Sequence, residues 1–525
     1  MRTLLDGFIA SLSAHAERPA VCDGGDVWRY ADLGQRARRV ACALPSLDGD
    51  PPLGAIYVRR GAAACAAILG VLWSGRGYVP VNPHFPLRRN ARLLARARPD
   101  VLVIDAEDEA HVPELLADVD RAVSVIVLNG ANGGGDAWPP HRRVACDLSA
   151  GEATRRDPEE SASEIAYLLF TSGTTGEPKG IGIRHASVRD YLAAMRRRHA
   201  LTPDDRVSQA FDLTFDLSVH DLFACWDAGA CLYPVPDRAL QAPASFIRAN
   251  ALTVWFCVPS LASRMSRLHL LRPDAFPSLR LSLFCGEALP VGTAAAWREA
   301  APRSALDNLY GPTETTIAIT GFRCDRDEAM GGARGGVVPI GWALPGQRTM
   351  VCDEEGRRLA AGTTGELWLG GSQVACGYWR DGDLSARRFV RRPDADNAIW
   401  FRTGDLAEEG ADGCLHHRGR CDDQIKIRGF RVELPEIDGV LRDVSRAGDA
   451  LAVAWPSKEA AEEVLAVVPK TTSVSADEIL AGCRAVLPRF MTPRRVIVID
   501  EIPRGANGKL DRQGLARLLR EERVS

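Results

Sequence analysis

Short apolar runs alternate along this chain with longer stretches at helical spacing. Leu5, Phe8, Ile9 and Leu12 fall on one face of a helix. Residues 27–33 read as a strand that turns into a helix over 32–47. Runs at 55–58 and 78–81 read as strands around an Ala-rich apolar helix at 62–73. Runs at 101–104 and 123–128 are continuously apolar, as in parallel strands covered on both faces. Residues 129–136, rich in Gly and Asn, read as a surface loop. Further strands are expected at 165–170, 254–260 and 281–287, with a helix at 186–197. Such alternation predicts layered α/β sheets.

From about residue 338 the pattern becomes strand-rich, with runs at 349–352, 365–369 and 398–401. A polar break, Gly419-Arg420-Cys421-Asp422-Asp423-Gln424, ends it. We place a boundary there. Residues 1–420 form a large N-terminal unit with a β-rich subdomain over about 338–420. Residues 421–525 form a small α+β unit with helices at 435–444 and 476–486 and strands at 450–454, 463–468 and 496–498. A chain of 525 residues is too long for one core, which agrees with several folding units.

Composition narrows the function little. The chain carries 65 basic and 68 acidic residues, net −3, so bulk charge suggests neither a nucleic-acid nor a membrane partner. The 14 cysteines show no CxxC pair and sit mostly in apolar runs. They read as buried free thiols of a cytoplasmic protein. The stretch at 62–73 is too short to span a bilayer, and Asp6 interrupts any signal-like N-terminus.

Candidate chemistry sits at the ends of the apolar runs. The loop Thr171-Ser172-Gly173-Thr174-Thr175-Gly176-Glu177-Pro178-Lys179-Gly180 follows a strand. Its glycines admit close backbone approach to an anion, its hydroxyls donate, and Lys179 adds a point charge. It lacks the Walker spacing. Asp216, in Phe215-Asp216-Leu217-Ser218-Val219, lies among apolar residues. It reads either as a helix N-cap or as a half-buried anion seeking a cation. Asn308-Leu309-Tyr310-Gly311-Pro312-Thr313-Glu314 brings an aromatic, a hydroxyl and a carboxylate together. Asp405, in Arg402-Thr403-Gly404-Asp405, reads as a turn residue or a ligand for ribose hydroxyls. Lys509 lies in a Gly/Asn loop before a final helix.

These motifs, in this order, resemble the adenylate-forming superfamily: acyl-CoA synthetases, luciferases and nonribosomal-peptide adenylation domains. Phe284-Cys285-Gly286-Glu287-Ala288-Leu289-Pro290 adds a similarity to stand-alone amino-acid adenylation enzymes, including D-alanine–carrier-protein ligases. The resemblance implies ATP and Mg2+ as cofactors. Thr171, Ser172, Gly173, Thr174, Thr175, Gly176 and Lys179 would cradle the β- and γ-phosphates. Gly286, Glu287, Ala288, Asn308, Leu309, Tyr310 and Gly311 would surround the adenine. Thr313 would touch the α-phosphate, Glu314 would hold Mg2+, and Asp405 with Arg420 would bind the ribose. Asp422 would be the hinge of a mobile C-terminal domain that delivers Lys509 as the catalytic cation and, once turned, opens a pantetheine path beside Gly429.

By the same resemblance Asp216 would bind a substrate ammonium. Phe215, Leu217, His220, Ser260, Leu283, Cys285, Leu309, Ile317 and Ala318 would complete the pocket. Large residues there favour alanine, glycine or serine, with His220 narrowing the pocket in its neutral form. The expected reaction is amino-acid adenylation, then transfer to the phosphopantetheine thiol of a separate carrier protein, since no carrier module follows Lys509. A cell-wall D-alanine ligase, a proline-activating enzyme, a small-acid coenzyme A ligase and a catalytically silent nucleotide-binding scaffold are the alternatives.

Overall fold

A computed structural model describes residues 3–47, 51–130, 135–149, 163–173, 178–324, 336–392, 397–458, 461–500, 502–503 and 510–521. Two large sheets dominate. In the nine-stranded sheet, Val254–Cys257, Leu281–Phe284 and Ala305–Tyr310 run parallel at the centre, and Thr320–Arg323 returns antiparallel. In the eight-stranded sheet, Leu53–Tyr57, Gly77–Pro80, Val101–Asp105 and Ser124–Leu128 are parallel. The antiparallel hairpin Ile165–Thr171/Lys179–Arg184 closes one edge.

The apolar helix Ala62–Trp73 explains how the sheets pack. All its residues but Ala63 are buried. Its core cluster joins Val21 and Leu232 of one sheet to Ile56, Val103 and Ile126 of the other. A Cβ on Gly70 would lie 2.7 Å from the carbonyl oxygen of Ala37, so only glycine lets the helix Tyr30–Ala43 pack this closely. The outer face of the nine-stranded sheet is covered separately, around Trp255 and Trp297.

Three expectations shift. The helix after the second strand runs Tyr30–Ala43 rather than to residue 47. Leu44 is extended because Pro45 follows it. The Gly/Asn stretch ends in a strand, Gly135–Trp138, which pairs with His141–Cys146. Asp405 lies in no turn. It sits inside the strand Ala398–Glu409, between Thr364–Gly371 and Leu415–Arg420. Gly404, at φ +74, gives the turn-like local sequence.

The C-terminal part has its own cores, around Ile425, Val432, Ile437 and Met491 and around Leu451, Leu465 and Leu515. It begins with the hairpin Gln424–Ile427/Phe430–Glu433. Arg428 and Gly429 form its two-residue tip, both at positive φ (52° and 84°), as a type I′ turn requires. Period-two alternation sends Ile425 and Val432 into the small core and leaves the cross-strand partners Lys426 and Arg431 on the other face. Among the described residues no helix is long and apolar enough to cross a membrane, and the cysteines are free thiols.

Candidate active site

The parallel strands of the nine-stranded sheet end at a cavity of about 1380 Å3. Such strand ends are where α/β sheets place ligands. A second cavity, of about 100 Å3, adjoins it and shares Phe215, Gly286, Tyr310, Gly311, Asp405 and Arg420. The polar face of the small hairpin covers both, with Lys426 lining each.

The large cavity holds the groups expected around a nucleoside. Asn308 donates through Nδ2 to the carbonyl of Pro339 at 2.8 Å, while its buried Oδ1 has no partner. An orphaned acceptor there fits the exocyclic amine of an adenine. Tyr310 Oη donates to Asp405 Oδ2 at 2.6 Å. Arg420 Nη1 donates to Asp405 Oδ1 at 2.5 Å, and its Nε and Nη2 reach Asp422 at 2.7 Å each. His417 Nε2 stands 3.4 Å from Asp405. Burial alone would raise the Asp405 pKa, but Arg420, His417 and Tyr310 overcome it and hold the carboxylate well below its ordinary range. Asp405 is therefore a fixed anion beside the cavity. The strands Ala398–Glu409 and Leu415–Arg420 place it, because Asp405 and Arg420 are register partners.

Ser172, Gly173 and the buried Lys179 flank the centre of the phosphate-type loop. Thr171 Oγ1 is buried with no hydrogen-bond partner, which leaves a donor for an oxyanion. Ser172 Oγ donates to the carbonyl of Arg431 at 2.9 Å and accepts from the Glu433 N–H at 3.1 Å. Lys179 Nζ lies 3.7 Å from Glu433; burial lowers its pKa, with Glu433 opposing. Thr174, Thr175, Gly176 and Lys509 lie outside the described residues.

Glu314 is fully buried. Its two oxygens accept from Arg431 Nη1 at 2.8 and 2.9 Å, and Oε1 also accepts from Tyr378 Oη at 2.7 Å. Burial pushes this carboxylate up, but Arg431 and Tyr378 prevail and keep it ionised. One buried carboxylate, completed by water and phosphate oxygens, suits Mg2+.

The small cavity is lined by Phe215, Asp216, Leu217, Cys285, Gly311 and Thr313. Asp216 holds the N-cap position of the helix Leu217–Asp227, yet makes no side-chain capping bond. Burial raises its pKa to about 6, against the pull of Thr313 and Lys426. Ser260 and Leu309 line the large cavity instead. His220, Leu283, Ile317 and Ala318 are buried and line neither cavity. His220 Nδ1 is 2.8 Å from Tyr191 Oη, and burial lowers its pKa to about 3. It is a neutral residue of the surrounding wall.

Glu287 departs from the simplest expectation. Ala288 is exposed beside it, but the Glu287 carboxylate accepts from the Ser260 N–H at 2.8 Å and the Gly429 N–H at 2.6 Å. It ties the hairpin tip to the large unit. A Cβ on Gly429 would lie 2.4 Å from Val258 Cγ1, so the tip seats only as glycine. Aromatic contacts extend the seam: Phe430 stacks on Phe490 at 3.9 Å, Phe490 meets Phe85 at 5.9 Å, and Phe430 meets Phe215 at 5.2 Å. Lys426, Arg431, Tyr378 and His417 were missed by the sequence reading. The hairpin alternation could have marked the first two as outward-facing; nothing local marks Tyr378 or His417.

The fold and this arrangement define an ATP-using ligase of two unequal units with the small one seated over the strand ends. The chain belongs to the AMP-binding enzyme family, whose profile matches residues 8–379. Its members are AMP-forming ligases that use ATP with Mg2+. The chain is 34% identical over 519 residues to the L-proline–[L-prolyl-carrier protein] ligase of Streptomyces coelicolor, covering 95% of this chain and 93% of that protein. It is 33% identical over 527 residues to novobiocin biosynthesis protein H of Streptomyces niveus, covering 98% and 82%. The crystal structure of the adenylation domain AlmE of Vibrio cholerae with glycyl-adenosine-5′-phosphate superposes with a TM-score of 0.87 at 31% identity, covering 99% and 98%. Against multi-module relatives the chain spans as little as 6% of their length.

Proposed function

We propose that this chain adenylates a small amino acid, with alanine, glycine or serine favoured, and transfers it to the phosphopantetheine thiol of a separate carrier protein. One observation carries the reading: Asp216 is a buried carboxylate on the wall of a cavity of only about 100 Å3. An anion there calls for an ammonium; the preference for a short side chain rests on the resemblance. The carrier-protein ligase and glycyl-adenylate relatives support it.

In the first step the substrate carboxylate attacks the α-phosphorus of ATP. The bond to pyrophosphate breaks, leaving an aminoacyl-adenylate. Asp216 orients the ammonium, Asp405 with Arg420 holds the ribose, and Asn308 Oδ1 reads the adenine. Glu314 would hold Mg2+, which neutralises phosphate charge when bound. Thr313 would touch the α-phosphate, and Lys509 would be the bridging cation. Preorganised cations of this kind are worth roughly 100- to 1000-fold in rate. In the second step the thiol sulfur attacks the acyl carbonyl and AMP leaves. We assign the seating of the hairpin Gln424–Ile427/Phe430–Glu433, with Arg431 on Glu314, to this second step, with Asp422 as the hinge.

Amino-acid-dependent ATP–pyrophosphate exchange tests the reading, over all small amino acids, both enantiomers of alanine, and proline. Exchange with one small amino acid is expected. Silence across the set overturns it. Supplying carrier protein against coenzyme A then separates the two acceptors.

A further inference from the structure

The large cavity has a basic end distinct from its nucleoside end. Arg264 and Arg267 line it from one side, one turn apart on the helix Pro259–Arg267, and Arg428 lines it from the hairpin tip. The carboxylates on this wall are already engaged. Glu462 pairs with Arg267 at 2.8 Å, Glu463 with Arg494 at 3.1 Å, and Glu287 with the two backbone N–H groups named above. Among the described residues Arg264 and Arg428 have no ion-pair partner. Arg264 donates through Nη2 to the carbonyl of Leu240, but its Nε is buried and unpartnered. Burial first, then Arg428 and Arg267, make the charge of Arg264 costly to hold.

Arg428 adds an independent observation. It occupies a type I′ turn position at φ +52°, where Asn or Gly is the ordinary choice and a long side chain is strained. Strain of this kind persists where the side chain has a task. Two arginines, one from each unit, thus line the same cavity, and Arg428 disfavours the charge of Arg264. The hairpin tip that carries Arg428 is seated against Val258 and Glu287.

We propose that Arg264 and Arg428 clasp the phosphodiester of the phosphopantetheine arm as it enters this cavity. The assignment rests on the carrier-protein reading of the site. Guanidinium forks suit phosphate oxygens, and an arginine pair split across the seam binds tightly only in the seated arrangement. The phosphate then rewards the seating that the transfer step needs. The ammonium and adenylate are handled elsewhere, so the pair serves the second step alone.

The test compares wild type with Arg428→Gly, Arg428→Lys and Arg264→Gln. Glycine suits the turn, so Arg428→Gly keeps the fold. Exchange activity should be unchanged in all three. The KM for phosphopantetheinylated carrier should rise about ten- to hundredfold in Arg428→Gly and Arg264→Gln, with Arg428→Lys between. Wild type should also prefer free 4′-phosphopantetheine to pantetheine as acceptor, and Arg428→Gly should lose that preference. Equal losses on both free acceptors, or no loss on the carrier, overturn the clasp. Should wild type show no exchange at all, the proposed function fails; calorimetry of 4′-phosphopantetheine against pantetheine still decides the anion site by itself.

Discussion

Asp216 carries opposing demands. Its pKa, raised by burial to about 6 from an ordinary 3.8, means the folded chain binds that proton more tightly than the unfolded chain. Its contribution to stability is therefore full below pH 3.8 and lost as pH rises through about 6. Asp216→Asn should raise the melting temperature of the substrate-free protein at pH 8, by up to about 3 kcal/mol of stability. The same change should cost about 2 kcal/mol or more in amino-acid kcat/KM, because it strands the ammonium. For the native enzyme, the amino-acid KM should fall as pH rises through about 6, as the carboxylate ionises. Thermal melts and exchange kinetics across pH 5–8 check all three. A titration-free KM would remove Asp216 from the ammonium site.

At the scale of elements, the parallel strands His141–Cys146 and Arg206–Gln209 carry polar residues and went unread, while Val101–Asp105 and Ser124–Leu128 were legible as nearly continuous apolar runs. The strand around Asp405 was not. Gly404 reads locally as a turn, and the partners that straighten the chain lie on Thr364–Gly371 and Leu415–Arg420. The site residues were legible as types and order, and their pairings were not. Tyr310 and Asp405 are 95 positions apart, and Glu314 and Arg431 are 117 apart, so no spacing rule connects them. The hairpin Gln424–Ile427/Phe430–Glu433 lies between these cases. Its alternation marks an outward polar face, but only the fold says what that face meets. Gly429→Ala should meet Val258 and the positive φ together. Exchange should persist while transfer to carrier falls at least tenfold, read from single-turnover acyl transfer. Equal loss in both steps would make the tip a general structural element.

For the whole molecule, the balance between seated and released small units sets the cycle. Glu436 is buried and is paired with Arg89 across the seam, and it also accepts from the Gly173 N–H at 3.3 Å. Arg89→Ala leaves that carboxylate without its cation, a loss of about 3–5 kcal/mol if it stays buried. Release into water avoids the cost, so the variant should shift toward the released arrangement rather than unfold. Small-angle X-ray scattering should show a larger radius of gyration at an unchanged melting temperature. A cooperative loss of the entire fold would instead make the seam part of one core.

The aromatic row from Phe85 through Phe490 and Phe430 reaches Phe215, the immediate neighbour of Asp216. A side chain too bulky for the wall would push on Phe215 and so on the ring it abuts in the other unit. An oversized guest is then penalised twice: once where it sits, and again when the lobe tries to come down. Selectivity measured on loaded carrier should exceed selectivity measured on adenylate.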